Sequence, residues 1–173
     1  MNIKEAIITI NQMQADGVID QYAIGGAVAA TFYLEPADTS DVDVFVHLDP
    51  LPGQSLVSLD PIHRYLEAQG YRLNAEGYPV IAGWPVQFLP VDHPLLREAL
   101  DQSIKRDVDG VPVRVFTAEH LAIIALSLGR PKDKLRLIQF LEARALDESI
   151  LSAILERHNL LDRWIRFKTQ FTG

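Results

Sequence analysis

Two aspartates in an apolar segment, Asp41 and Asp43, and two adjacent glycines, Gly25 and Gly26, have the types and spacing that suit chemistry. A β-strand points residues i and i+2 to the same face, so a strand here would place both carboxylates together, about 7 Å apart at Cα. Two such carboxylates can hold Mg²⁺. Glycines that open a helix let backbone amides approach a phosphate, where the helix dipole favours an anion. Metal and phosphate together suggest nucleotide chemistry.

Each of these features also has a purely structural interpretation. The aspartates could occupy the solvent-facing side of a strand, and the glycines could serve a tight turn between a strand and a helix. Asp is disfavoured in strands, however, and the alternating neighbours Val42, Val44 and Val46 indicate a strand that is buried on one face. We therefore expect the aspartate pair to be functional, and the phosphate contact of the glycines depends on it.

The elements around these residues predict a mixed α/β (α+β) fold. The apolar segments at 22–24 and 41–48 are typical of strands, and the segment 27–34 between them is typical of a helix. Further strand patterns occur at 71–75, 79–82, 84–91, 104–108 and 111–116. We expect residues 1–116 to form a mixed β-sheet core flanked by helices.

The remaining residues, 117–173, have a helical pattern. Thr117 is a suitable N-cap, and Pro131 suits the first position of a helix. The predicted helices cover about 118–128, 131–145, 147–157 and 159–171. We expect them to form a helical bundle that packs on the core.

Composition narrows the class of protein. The chain has no cysteine, which excludes disulfides, thiolate zinc sites and thiol nucleophiles. No apolar run approaches membrane-spanning length, and the first residues lack the pattern of a signal peptide, so we predict a cytoplasmic protein with no membrane partner. Residues 1–129 carry 7 Lys/Arg against 17 Asp/Glu, whereas residues 130–173 carry 9 against 6. This asymmetry suits an acidic metal-binding part beside a basic part that attracts a polyanion, and also suits ordinary solvated helix faces.

The order of the glycine pair and the Asp-Val-Asp segment resembles the signature of the polymerase-beta-like nucleotidyltransferase superfamily. The later segment Gly129-Arg130-Pro131-Lys132-Asp133 is similar to the Arg-x-Lys-Asp segment of the AbiEii/MenT-type branch. The resemblance implies a nucleotidyltransferase-like sheet. It also implies that Asp41 and Asp43 hold Mg²⁺ or Mn²⁺, and that Gly25 and Gly26 contact nucleotide phosphate.

In the same resemblance a third carboxylate on a later strand completes the metal site, but this chain has Gln87 there. Gln87 can supply a carbonyl oxygen to the metal but has no basicity at neutral pH. Two further positions depart from the branch, where Ala125 stands in place of a Lys and Arg136 in place of an Asp.

Several polar residues near these motifs are candidates for nucleotide binding. Three basic residues could replace the branch's Lys, absent here at Ala125, by reaching the same phosphates: Arg130, Lys132 and Lys134. Basic residues at a helix junction can also simply cap the preceding helix. Thr39 and Ser40, just before the aspartates, can hydrogen-bond a triphosphate or simply form a turn.

Two functions follow from these expectations. The first is a Mg²⁺-dependent nucleotidyltransferase that moves a nucleoside monophosphate from an NTP to a hydroxyl of RNA, protein or a small molecule. Such an enzyme could be of toxin type, with an antitoxin as partner. The second is a catalytically degenerate relative that binds a nucleotide or a protein partner without transfer, which Gln87, Ala125 and Arg136 favour.

Overall fold

The computed structural model describes residues 1–171, which form one mixed β-sheet and, within that range, eight helices. The domain boundary expected after residue 116 stays a prediction, and residues 172–173 of its second part lie outside the described range. The strands are β1 (Tyr22–Ile24), β2 (Val42–Val46), β3 (Val80–Ile81), β4 (Trp84–Pro90), β5 (Ile104–Val108) and β6 (Val111–Val115). The helices are α1 (Ile3–Ala15), α2 (Gly26–Ala30), α3 (Asp60–Ala68), α4 (Pro94–Asp101), α5 (Ala118–Leu128), α6 (Pro131–Glu142), α7 (Glu148–Arg157) and α8 (Leu161–Phe171).

The six strands lie in the order β3-β4-β2-β1-β6-β5. Strand β2 runs antiparallel to β1 and parallel to β4, and β1 runs parallel to β6. In the β2–β4 pair, Asp43 is the register partner of Gln87. The sheet therefore brings together two residues that are 44 positions apart in the sequence.

The central strands form because their apolar residues alternate. Val42, Val44 and Val46 point to one face of β2 and are completely buried. Helix α1 presents a matching apolar face of Ala6, Ile7, Ile10 and Met13, all buried. Asn2 begins this helix by accepting a hydrogen bond from the backbone amide of Glu5 at 3.3 Å.

Helix α5 is the central helix of the C-terminal part and packs against α2, α4, α6 and α7. Thr117 caps its first turn by accepting a hydrogen bond from the amide of His120 at 3.2 Å. The helix ends at Gly129, whose φ of +66° is the left-handed conformation that terminates many helices. The next residue, Arg130, begins the turn into α6, and the three basic residues expected to bind nucleotide phosphate, Arg130, Lys132 and Lys134, lie at or just after that junction.

Glu98 on α4 connects this helix to α7. Its carboxylate accepts hydrogen bonds from Arg157, one of them from Nε at 3.1 Å, and pairs with His158 Nε2. The buried His120 ring lies further away, with Nε2 3.9 Å from Glu98 Oε1. Burial acts to raise the pKa of Glu98, but hydrogen bonds from His158 and Arg157 outweigh it, and the pKa is lowered. The ionised form of Glu98 is therefore favoured, and its carboxylate connects α4 to the end of α7.

The predicted elements differ from the structure at a few ends. The helix expected over 27–34 is the shorter α2, and the helix expected over 131–145 ends at Glu142. The strand expected at 71–75 is absent from the described residues, where only an isolated bridge joins Leu73 to Pro79. No helix within residues 1–171 is long and apolar enough to cross a membrane.

Candidate functional site

A cavity of about 440 Å³ lies between the sheet and helices α4, α5 and α6. The sheet side contributes Asp41, Asp43 and Gln87, and α6 contributes Lys132, Asp133 and Arg136. Much of the rest of the lining is apolar and comes from β2, β4, α4, α5 and the segment after β6: Phe45, Leu89, Leu96, Phe116, Leu121, Ile124 and Leu128. Polar residues Asp92, His93 and Ser127 also line it, so the cavity combines charged and polar groups with apolar side chains.

The two predicted metal ligands and the third oxygen donor all line this cavity. Asp41 stands just before β2, and Asp43 lies within it, on the opposite face from the buried valines. Gln87 lies beside Asp43 on the parallel strand β4. Strand pairing alone thus sets an amide and a carboxylate side by side, and Asp41 joins them from the start of the same strand.

Gly25 and Gly26 each lie where a larger side chain would not fit, for different local reasons. At Gly25, an added Cβ would stand 2.5 Å from Cε2 of Phe45, whose ring packs against Phe116 with centroids 4.7 Å apart. At Gly26, φ is +57° and an added Cβ would stand 2.1 Å from Asp43 Oδ2. Gly25 therefore makes room for a ring and Gly26 for a carboxylate. Their contact with phosphate stays a prediction.

The surroundings of Asp43 raise the pKa of its carboxyl group. Burial raises its pKa, and the nearby carboxylate of Asp41 acts in the same direction, whereas Lys132, Arg130 and Arg136 act to lower it. The net effect is a raised pKa, which means that this pocket disfavours the charged form of the carboxylate. A cation bound between the two aspartates would relieve both causes.

Arg130 lines the cavity but is held by Asp133. Its Nε donates to Asp133 Oδ2 at 2.6 Å and its Nη2 donates to Oδ1 at 3.1 Å. The Arg130 amide also donates to Asp133 Oδ2 at 3.1 Å, which closes the first turn of α6. Asp133 is 2% exposed, so the Arg-x-Lys-Asp segment has a structural role at this junction.

The sequence pattern does not predict Arg136 as a cavity residue, because it shows this position only as a departure from the branch pattern. The guanidinium is half-buried, and within residues 1–171 it has no hydrogen-bond or ion-pair partner. Burial lowers the pKa of Arg136, while the carboxylates of Asp133 and Asp43 act in the opposite direction. Its position four residues after Lys132 on one helix could have revealed it, because such residues share a face.

Four of the predicted nucleotide-binding residues do not line the cavity: Gly25, Thr39, Ser40 and Lys134. The Thr39 hydroxyl donates to the backbone carbonyl of Asp41 at 3.1 Å, which supports the turn before β2. Ser40 is exposed, as is Lys134 on the outer side of α6. The structure therefore gathers Gly26, Asp41, Asp43, Gln87, Arg130 and Lys132 at one place.

The mixed sheet with its flanking helices confirms the predicted fold class, and the fold is similar to that of nucleotidyltransferase-like proteins. Two solved structures share it. An antigenic nucleotidyltransferase-like protein from Paracoccidioides brasiliensis matches with a TM-score of 0.56 and 15% identity, over 81% of this chain and 74% of that one. The antibiotic-resistance factor ANT(2'')-Ia, described in solution with substrate-regulated conformation dynamics, matches with a TM-score of 0.53 and 14% identity, over 97% of this chain and 96% of that one.

No protein-family model matches the sequence, and no curated protein matches it significantly. The structural likeness shows a shared fold, whereas membership of the superfamily and placement in the AbiEii/MenT-type branch stay predictions.

Proposed function

We propose that this protein is a divalent-metal-dependent nucleotidyltransferase that transfers a nucleoside monophosphate from an NTP to a hydroxyl acceptor. The observation that carries the proposal is the arrangement of Asp41, Asp43 and Gln87 on the sheet side of a cavity to which α6 contributes Lys132 and Arg136. Oxygen donors suit a divalent cation, and the basic side chains suit the phosphates that accompany it. The cavity volume of about 440 Å³ also falls within the range of small-molecule sites.

The residues present fit Mg²⁺ or Mn²⁺. The donor set consists of two carboxylates and one amide carbonyl, and Mg²⁺ is commonly held by one or two carboxylates together with substrate phosphates. Burial and Asp41 raise the pKa of Asp43 more than Lys132, Arg130 and Arg136 lower it, so the basic side chains of the protein compensate these carboxylates only in part. Residues 1–171 contain no group of three or more His, Cys, Asp or Glu that could hold a metal ion. We therefore expect the substrate to complete the coordination.

Bound at the two aspartates, the cation would supply Lewis-acid polarisation of the α-phosphate and would lower the pKa of an attacking hydroxyl. Lys132 would neutralise phosphate charge and orient the nucleotide for in-line attack. In that attack the acceptor oxygen would bond to the α-phosphorus, the bond from this phosphorus to the bridging oxygen would break, and pyrophosphate would leave as the hydroxyl proton passes to solvent. Gln87 would orient the bound ligand through its amide. It would accept no proton, because a neutral amide has no useful basicity. The apolar part of the cavity lining would exclude water from the reacting groups.

The proposal also specifies the group that accepts the nucleotide. We propose a hydroxyl of RNA, a protein or a small molecule. The toxin-type role and an antitoxin partner are narrower proposals, which rest on the sequence resemblance alone. The second candidate function is nucleotide or partner binding without transfer. Two observations favour it: Gln87 replaces a carboxylate beside Asp43, and Arg130 is already bound to Asp133.

The experiment that tests the proposal is calorimetric titration of the four NTPs, with and without Mg²⁺, into the wild type and Asp41→Ala/Asp43→Ala. Metal-dependent binding that is lost in the double variant supports a nucleotide site at the aspartates. Transfer is then measured with α-labelled NTP and either RNA or cell extract. A labelled acceptor that requires Asp43 supports the enzyme, and binding without a labelled acceptor supports the second candidate. No binding contradicts the enzyme and leaves only the binding of a protein partner, which a pull-down then tests.

A further inference from the structure

Arg136 is a half-buried cation that has no hydrogen-bond or ion-pair partner among the residues that the structure describes. It lines the cavity from α6, and no hydrogen bond or ion pair joins it to another residue of the described range 1–171. Removing a charged group from water is costly unless another group compensates it. A side chain in this situation is suited to an anion that arrives with a ligand.

The neighbouring acidic groups do not supply that anion. Asp133, three residues earlier on the same helix, is buried and already accepts both guanidinium bonds of Arg130. Asp43 on β2 acts on Arg136 electrostatically, but forms no ion pair with it. The two guanidinium groups therefore differ, because that of Arg130 is bonded to Asp133 whereas that of Arg136 can bind a ligand.

We propose that Arg136, rather than Arg130, binds a phosphate group of the nucleotide in this cavity. The inference rests on the proposed function and assigns its phosphate contact to a residue that the sequence motif does not include. A guanidinium presents a planar fork of N–H donors that fits two phosphate oxygens, and it stays charged at every relevant pH. Lys132, one helical turn earlier, lies on the same face and adds a second positive charge to the same ligand.

The phosphate is favoured over a carboxylate ligand because of what surrounds Arg136. A polyphosphate has enough oxygens to reach the Arg136 fork, Lys132 and a cation at Asp41 and Asp43 together. A carboxylate has two oxygens and can satisfy only one of these groups fully. The ligand class is therefore a nucleoside triphosphate or another compound with linked phosphates.

The test uses tripolyphosphate and ATP as separate probes, titrated with Mg²⁺ into the full-length wild type, Arg136→Gln and Arg136→Lys. The matched control is Arg166→Gln, which removes the same charge from an exposed position on α8 away from the cavity. We expect Arg136→Gln to weaken both probes about 10- to 100-fold, since charge-assisted hydrogen bonds are lost. Arg136→Lys should bind with intermediate affinity, and Arg166→Gln should stay within about 2-fold of the wild type.

The outcomes separate this inference from the function on which it rests. Wild-type affinity in Arg136→Gln, or an equal loss in Arg166→Gln, overturns the role of Arg136 whether or not transfer occurs. Tripolyphosphate binding that depends on Arg136, in a protein that neither binds ATP nor transfers a nucleotide, supports Arg136 as a ligand of linked phosphates but contradicts both the nucleotide as its ligand and the proposed function. A wild type that binds neither probe contradicts both.

A second measurement covers the case in which Arg136→Gln fails to fold. The arginine Nε–Hε signals of the wild type are recorded by NMR, and Arg136→Lys identifies the signal of Arg136 by its loss. Addition of Mg²⁺-tripolyphosphate should shift that signal and leave the signal of Arg166 in place. An unchanged Arg136 signal at saturating probe overturns the proposal.

Discussion

Gly26 lies against the carboxylate of Asp43, so closely that a Cβ added at residue 26 would stand 2.1 Å from Oδ2. The same residue has φ of +57°, where an L side chain is strained. The glycine therefore keeps open the space into which a predicted metal ligand points.

We expect Gly26→Ala to reduce stability and to displace Asp43. The matched control is Gly17→Ala, because Gly17 has φ of +76° but nothing within 4 Å of an added Cβ. Gly17→Ala should lose about 1–2 kcal/mol from the backbone alone. Gly26→Ala should lose about 1–3 kcal/mol more, since a group is also forced into an occupied space. Urea unfolding measures both, and equal losses would show that the Asp43 contact costs nothing.

Asp43→Asn should make the metal-free protein more stable at pH 7. Burial and Asp41 raise the folded-state pKa of Asp43 above its ordinary value of 3.8, so the folded protein binds this proton more tightly than the unfolded chain. The associated stability is present below pH 3.8 and is lost as the pH rises through the folded-state pKa. The neutral amide avoids that loss, so the gain should be present at pH 7 and should shrink towards acid pH.

Thermal denaturation in EDTA from pH 3 to 8 measures this difference, and Asp38→Asn, at an exposed loop position, is the control. A lower melting temperature for Asp43→Asn than for the wild type at pH 7 would contradict the electrostatic account. Mn²⁺ should then raise the melting temperature of the wild type but not that of Asp43→Asn, because the variant lacks a ligand.

Gln87→Glu should strengthen divalent-metal binding. Residue 87 pairs with Asp43 across β2 and β4, so a carboxylate there would add a third charged donor at the same place. Affinity for Mn²⁺ should rise about tenfold or more, because it depends on the charge of the ligand set. Without metal, the same variant should be less stable than the wild type, since three carboxylates then repel one another.

Calorimetric titration of Mn²⁺ measures the effect of Gln87→Glu, and Gln87→Leu controls for the loss of the amide. Unchanged Mn²⁺ affinity in Gln87→Glu would mean that residue 87 does not face the bound ion. Transfer activity gained only by Gln87→Glu would show that the natural protein is the degenerate form.

Glu98→Gln should destabilise the contact between α4 and α7 by about 1–3 kcal/mol, because the charge-assisted bonds with Arg157 and His158 are weakened. Hydrogen bonds lower the folded-state pKa of Glu98 despite its burial. Its contribution is therefore present above its ordinary value of 4.5 and is lost as the pH falls through the folded-state pKa.

Unfolding at several pH values should show the largest deficit of Glu98→Gln near neutrality and a smaller one in acid. The control is Glu67→Gln, at an exposed position on α3, which should change stability by less than about 0.5 kcal/mol. A deficit of the same size at every pH would indicate a packing defect rather than a lost charge.

Local patterns in the sequence predicted most of the elements. The strand at 22–24, the helix at 118–128 and the hairpin strand at 104–108 lie where periodicity placed them. Periodicity is reliable here because each element buries one apolar face against the same hydrophobic core. The predicted strand at 71–75 did not form, since an alternating pattern cannot supply the neighbour that a strand needs for its hydrogen bonds.

The sequence by itself determined that Asp41 and Asp43 alternate with the buried valines of a strand and that two glycines lie where a helix begins. Only the tertiary structure decided that Gln87 pairs with Asp43 and that Asp133 binds Arg130, and that Arg136 has no hydrogen-bond or ion-pair partner within residues 1–171. The physical reason is the separation along the sequence between the residues that determine each feature. Side-chain direction within one strand follows from neighbouring residues, whereas strand order, burial and competition for a carboxylate depend on segments that meet only when the chain folds.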